Sequence, residues 1–482
     1  MDQVNQAYES DAAKTSGFGG LLERLFKLTA HKTTPKIEMM AGLTTFVTMS
    51  YIIVLNPIIM SKTGMPFDGL FLATCIGAAI ATIFMGLYAN WPVGLAPGMG
   101  LNAFFTFTVV GSMGYGWEIA LGAVFLSGVL FVLMSVTRLR EWMLDSIPMS
   151  LRLAMTAGVG LFLGFIGLRF TGIVIPDANN VVALADLTHF GFGKFGPEAP
   201  ALGLLSFFLI AVLSYRKVFG AVVIGIGVTT LVAFLMTFLL PVDFFVVAEE
   251  AKSWAPASGF VSYGGMLAVP DFAAIEPILW KADVMGALQV AMIPVIVTFL
   301  FVNIFDTAGT LMGVAERANL QDENGKIENL NKSLKADSMS SVLGTAFGCP
   351  PVTSYAESAA GVAVGGRTGL TAVVIGVLFL LGMFFLPLAK MLPGFAVDGA
   401  LIYVAMLMMG SLAKLDWEDF TEFAPAVITT IMMAFTFSIA NGIAIGFITY
   451  TVLKVGTGKS SDVSKGVWAL TALFAAKFIF LN

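Results

Sequence analysis

Two carboxylates lie where a long apolar chain tolerates them least: Asp306, within VTFLFVNIFDTAGTL, and Glu357, within GCPPVTSYAESAAG. An ionised Asp at a bilayer centre costs roughly 2.5–3.5 kcal/mol, so such residues commonly line a substrate or proton path. Glu357 follows a proline-broken stretch, where a carboxylate accepts hydrogen bonds from ligand N–H groups and is favoured by a helix N-terminus. Asp306 ends a run in which Phe299, Phe301 and Phe305 supply aromatic faces and Thr307 and Thr310 supply hydroxyls. A desolvated carboxyl there is suited to exchanging a proton, and both acids are candidates for proton coupling. The plainer reading of Asp306 is a tie to a neighbouring backbone; that of Glu357 is an ion pair, for which its own stretch offers no obvious cation.

The elements that must position these acids are interrupted. In GLAPGMGLNAFFTF, Gly94, Pro97, Gly98 and Gly100 crowd an apolar stretch and disfavour a continuous helix. In GCPPVTSYAESAAG, Pro350 and Pro351 precede a short extended piece and then a helix-compatible run. Each reads as a strand followed by a half-helix. Such backbone survives at membrane depth only where protein or a watery cavity satisfies it, and two facing breaks would build a midplane site. Backbone amides near Met99 and Ala356 would then face a ligand. Asn102, in the opposite broken segment, would brace an acid or touch the ligand, while Tyr355 and Phe305 would stack on a planar one or simply pack.

Composition sets the class. Of 482 residues 57% are apolar and 12% charged, with a mean hydropathy of +0.89, too little polar surface for a soluble globule. Apolar runs near 20 residues recur along the chain, as helices crossing about 30 Å of hydrocarbon require. Spans are expected near 38–61, 69–90, 92–110, 117–137, 150–172, 199–215, 218–240, 285–306, 334–348, 350–366, 369–388, 395–413, 422–440 and 442–454. These make an all-α membrane protein of fourteen segments. The net charge of −5 forms no basic stripe for nucleic acid. Cys75 and Cys349 sit in apolar runs and read as packing residues, so no metal or other cofactor is expected; His31 and His189 lie outside the spans. The arm FGGLLERLFKLTA has the pattern of a helix lying on a lipid surface.

With both termini cytoplasmic, the inner loops and tails hold 20 of the 26 Lys and Arg, against 6 outside. Arg138, Arg140 and Arg152 mark one inner loop, Arg216 and Lys217 another, and Arg317, Lys326, Lys332 and Lys335 a third. The halves echo each other: Val47-Thr48 and Val297-Thr298 are 250 positions apart, and Pro92-Val93 and Pro351-Val352 are 259 apart. Seven spans per half would invert the second copy.

The motifs IEMMAGLTTFVTMSYIIVLNP, APGMGLNAFF, FDTAGTLMGVAERANL and PPVTSYAESAAGVAVGGRTGLTA resemble the nucleobase-cation symporter-2 family, in its AzgA-like adenine/guanine/hypoxanthine permease branch. The resemblance covers nearly the whole chain. It implies seven plus seven inverted repeats, with a core domain at 38–137 and 285–388 and a gate domain at 150–240 and 395–454. A cytoplasmic arm at 1–37 and a tail at 455–482 flank them. It also implies short strands in segments 3 and 10, and relatives of this kind commonly form homodimers. By position, Glu357 matches the substrate-binding acid, Asp306 the acid of the eighth span, Asn102 the third-span asparagine, and Tyr355 and Ala356 the contacts to the base. The Gln-Asn-x-Gly of the ascorbate and xanthine branch is replaced here by Glu357-Ser358-Ala359-Ala360-Gly361, which disfavours those substrates.

The expected function is proton-coupled uptake of purine nucleobases across a bacterial inner membrane, the partners being the base and lipid. A sodium-coupled carrier or one for pyrimidine or xanthine is the alternative. A membrane-embedded enzyme is more distant, since the chain has no nucleophile triad, HExxH pattern or phosphate loop, and the apparent repeats argue against a channel.

Overall fold

The computed structural model describes residues 17–137, 147–177, 181–185, 199–239, 265–320 and 327–480. Arg138, Arg140, His189 and Lys326 lie outside them. An amphipathic α1 (Phe18–Phe26) precedes the first span, α2 (Pro35–Met49) and α3 (Ile52–Met60), and the second, α4 (Phe67–Phe84). Then come β1 (Leu95–Pro97), α5 (Met99–Ala103), α6 (Trp117–Val136), α7 (Met149–Phe170), a small hairpin β2 (Val174–Asp177) and β3 (Val181–Leu184), α8 (Pro200–Tyr215) and α9 (Ala221–Leu239). The second half runs through α10 (Ile293–Arg317), α11 (Leu330–Ala346), β4 (Val352–Ser354), α12 (Ser358–Ala363), α13 (Gly369–Gly382), α14 (Gly394–Met409), α15 (Phe420–Phe435), α16 (Ile439–Gly456) and α17 (Lys465–Phe480).

Each of the fourteen expected spans has its counterpart, the tenth as β4 and α12, but the eighth, expected at 285–306, is displaced to Ile293–Arg317, which puts Asp306 mid-helix. Among the described residues eight helices are long and apolar enough to cross a membrane, and shorter apolar helices at Met99–Ser112, Pro200–Tyr215, Ala221–Met236 and Phe420–Phe435 account for four more expected spans. The ninth span, α11, is polar by sequence, LNKSLKADSMSSVLGTA, because much of its polar content faces protein: Ser333, Asp337, Ser338, Ser340 and Ser341 are buried. Polar groups at that depth are tolerable only when hydrogen-bonded.

The helices form two packed groups. α2 to α4, α6 and α10 to α13 interlock in one, and α7, α8, α9, α14, α15 and α16 in the other. Local chemistry sets the seams of the first group. Thr34 caps α2, accepting from the Ile37 amide at 3.4 Å. One turn on, the buried carboxylate of Glu38 receives the Arg367 and Thr368 amides at 2.9 and 3.2 Å, and the Thr371 hydroxyl at 2.5 Å. These bonds pin the start of α13 to the first span, satisfying donors that a helix N-terminus leaves free. Asn90, held at φ 56°, accepts from the Gly369 amide and donates to Phe26 O. The amphipathic arm thereby docks on the bundle, with Phe26 and Leu28 buried against Leu370 while Leu21 and Leu25 stay exposed.

The two halves are related as inverted repeats, and the 259-residue echo has a structural meaning. The Thr82 hydroxyl on α4 accepts from Leu95 N at 2.8 Å and donates to Leu95 O at 2.9 Å, holding β1. In the second half Ser341, 259 positions beyond Thr82, donates to Val352 O at 3.0 Å and holds β4. The C-terminal segment is not a loose tail. α17 lies antiparallel along α16, through Thr451 and Thr471 at 2.8 Å, Phe447 and Phe474 ring to ring, and Lys477 donating to Asn441 Oδ1 at 2.5 Å.

Candidate substrate-binding site

The site begins with two three-residue strands, one from each half. β1 and β4 pair antiparallel with Leu95 opposite Ser354, Ala96 opposite Thr353 and Pro97 opposite Val352. Their ends are tied as well. Gly98 N donates to Pro351 O, Tyr355 N to Gly94 O and Gly94 N to Ser358 Oγ, each at 3.0 Å. Backbone that could not remain unpaired at membrane depth is thus satisfied inside the protein. Beyond the strands, α5 and α12 begin beside one cavity.

That cavity has a volume of ≈ 700 Å³, and Gly98, Met99, Gly100, Phe305, Asp306, Tyr355, Ala356 and Glu357 line its inner part. Six of the seven residues picked from the sequence therefore share one space. It extends along α10 past Gly309, Thr310 and Gly313 to Arg317, with Lys414 on the other wall. At 1.5 Å per residue, Asp306 to Arg317 is about 16 Å of helix.

Glu357 is anchored from the first half of the chain: Tyr51, buried at the break between α2 and α3, donates its phenol to Glu357 Oε1 at 2.7 Å. The Tyr355 phenol donates to Pro97 O at 2.5 Å, fixing its ring beside the strands. Asp306 differs, since no hydrogen bond among the described residues engages its carboxyl, and it lines the cavity directly. Its neighbour Thr307 turns away, donating to Asp337 Oδ2 at 2.6 Å.

Asn102 is the exception among the picked residues. It is buried outside the cavity lining and donates to Asn56 Oδ1 at 2.7 Å; Asn56 in turn donates to Thr74 Oγ1 at 2.7 Å. This chain braces α5 against α3 and α4 rather than either acid.

Two buried polar residues that hold the site together were not among those expected from the sequence. Asp337 Oδ1 accepts from Ser354 N at 2.7 Å and Ser354 Oγ at 2.6 Å, so one buried carboxylate holds both β4 and, through Thr307, α10. It was legible as an acid inside the ninth expected span. Tyr51 carried a weaker signal, a hydroxyl in an apolar span that needs a partner.

A broken-helix cavity between two helix groups, lined by Asp306 and Glu357 at the half-helices of the two repeats, is the architecture of a membrane carrier. The comparisons with known proteins agree: a model of the permease family matches residues 36–445. Adenine permease AdeQ of Escherichia coli (strain K12) is 45% identical over 482 residues, covering 100% of both chains. Adenine permease AdeP of the same organism is 44% identical over 469 residues, 97% of this chain and 98% of that one. Guanine/hypoxanthine permease PbuO of Bacillus subtilis (strain 168) is 40% identical over 465 residues, 95% of this chain and 100% of that one. The transmembrane domain of a cyanobacterium bicarbonate transporter, BicA, is similar in fold alone, with a TM-score of 0.57 at 14% identity over 85% of this chain and 97% of that one. This chain belongs to the permease family; it is a multi-pass membrane transporter and not an enzyme.

Proposed function

We propose that this protein takes up purine nucleobases (adenine, guanine or hypoxanthine) in symport with protons, across the inner membrane of a bacterium. The observation that carries the reading is the cavity in which Glu357, oriented by Tyr51, and Asp306 both face one space bounded by the half-helices of the two repeats. A neutral flat heterocycle offers no charge to bind, so hydrogen-bond pattern and shape must select it. Glu357 accepts from ring N–H groups, the amides near Met99 and Ala356 complete the polar frame, and Phe305 and Tyr355 supply faces for the ring. Asp306, with its carboxyl turned to the cavity, exchanges the proton. The names of the 40–45% identical relatives, which are adenine and guanine/hypoxanthine permeases, support the substrate class.

In this reading the group containing α2 to α6 and α10 to α13 is the core, and the group of α7 to α9 and α14 to α16 is the gate. The core carries the base past the gate. The cavity runs toward Arg317 and Lys414, and with these cations on the cytoplasmic face, as the positive-inside rule favours, this reading takes the cavity to open inward.

The test is uptake of labelled hypoxanthine and adenine in cells lacking their own purine carriers, with and without a pH gradient and in sodium-free buffer. Saturable uptake driven by the pH gradient and abolished by Glu357→Ala, with the variant still in the membrane, is expected. Uptake indifferent to Glu357→Ala would overturn the site, and uptake that requires sodium would replace the coupling ion.

A further inference from the structure

Every group assigned to the base so far comes from one side of the cavity, the side built by β1, α5, α10, β4 and α12. The facing wall belongs to α7 and α14, which bring Thr156, Val404, Leu407 and Met408 to the same space. Of these four, Thr156 alone carries a hydrogen-bonding side chain. Nearer the mouth the wall adds Ser411 and Lys414, but the Ser411 hydroxyl donates to Leu153 O at 3.0 Å.

Thr156 also sits deep. With Gly100, Phe305 and Asp306 it lines a second, smaller space of ≈ 20 Å³, room for about one water. Its only hydrogen bond within the described residues is a long 3.4 Å contact with Arg152 O, at the outer limit of such bonds. The hydroxyl is therefore available to a ligand at little cost.

We infer that Thr156 is the specificity-determining residue of the facing wall, its hydroxyl hydrogen-bonding the exocyclic group of a base whose ring N–H groups are held by Glu357. The assignment rests on the purine reading and adds a second point of recognition. A hydroxyl both donates and accepts, so it pairs with an amino or an oxo substituent alike. An apolar wall at this position would leave that substituent unpaired as the two helix groups close on the base. The loss would fall on substituted bases and spare the unsubstituted ring.

The experiment is uptake kinetics of the full chain, wild type against Thr156→Val and Thr156→Ser, with membrane levels matched by immunoblot. Unsubstituted purine, adenine, guanine and hypoxanthine serve as competitors of labelled hypoxanthine. Thr156→Val, which keeps the shape and removes the hydroxyl, is expected to raise the KM for hypoxanthine and the inhibition constant of adenine about threefold to tenfold. The inhibition constant of unsubstituted purine should stay unchanged, and Thr156→Ser should recover the wild-type pattern. Unchanged constants in Thr156→Val, or an equal rise for unsubstituted purine, would overturn the assignment and leave Thr156 a packing residue. Absence of purine uptake by the wild-type chain would instead overturn the purine reading, and this inference with it.

Discussion

Tyr51 and Glu357, 306 positions apart in the chain, meet in a 2.7 Å hydrogen bond in which the phenol donates to Oε1. The bond joins the break of the first span to the half-helix of the tenth. It fixes the direction of the Glu357 carboxylate and leaves the second oxygen for a ligand.

Tyr51→Phe tests that orientation while keeping the ring. Losing one hydrogen bond to a carboxylate is worth about 1.5 kcal/mol or more, so the KM for a transported base should rise about tenfold. Uptake kinetics at matched protein level decide it, and an unaltered KM would mean that Glu357 is held by other contacts.

Asp337 should matter for stability as well as transport. Asp337→Ala leaves the Ser354 amide and the Ser354 hydroxyl without their acceptor in a buried setting, while the Thr307 hydroxyl keeps only Thr353 Oγ1, at 2.9 Å. Each such orphan costs about 1–3 kcal/mol. The purified variant is expected to melt well below wild type in detergent and to lose uptake. A wild-type melting curve would remove Asp337 from this role.

Gly100 is one of the contact points between the two helix groups. A Cβ there would stand 2.3 Å from Val159 Cγ1 on α7, closer than side chains approach. Gly100→Ala should wedge α5 from α7 and depress transport, and the double variant with Val159→Ala should recover part of it. Equal activity in both variants would show that the groups do not press together here during the cycle.

Asp419 gives a pH signature outside the membrane. The Thr421 hydroxyl and then the Thr421 amide donate to its carboxylate, with Lys459 adding a smaller effect, and its pKa is lowered to about 2 from an ordinary 3.8. Asp419 is the N-cap of α15, and a folded-state value below the unfolded one means that this cap contributes fully above pH about 4 and fades as pH falls toward 2. Comparing melting of wild type and Asp419→Ala should give a constant gap from pH 7 to 5 that narrows below 4. A gap that widens on acidification would contradict the cap.

The broken segments were legible because Pro350, Pro351, Gly98 and Pro97 crowd together and disfavour a continuous helix, and the two acids because nothing around them in sequence is polar enough to explain them. Asp337 stood out as an acid inside the ninth expected span, but the polar sequence around it masked its role. Lys335, Ser338, Ser340 and Ser341 make α11 look like the margin of a loop, and only the packing of α4, α6 and α10 around it turns those hydroxyls inward. Asn102 was recognised as a polar group near the ligand, but its partner Asn56 lies on another helix, a relation that no local pattern encodes. The last helix read as a tail because its fastening to Asn441 and Thr451 depends on three-dimensional proximity to α16.

The sheet of β1 and β4 has one edge from each repeat, so neither repeat owns the pocket. Two fragments of this chain, divided in the region 240–264 and produced apart, would each carry a strand with no mate and an unfinished cavity. Purine binding would then appear only on reunion of the fragments, which makes the ligand a reporter of their association and places completion of the pocket after both halves have entered the bilayer.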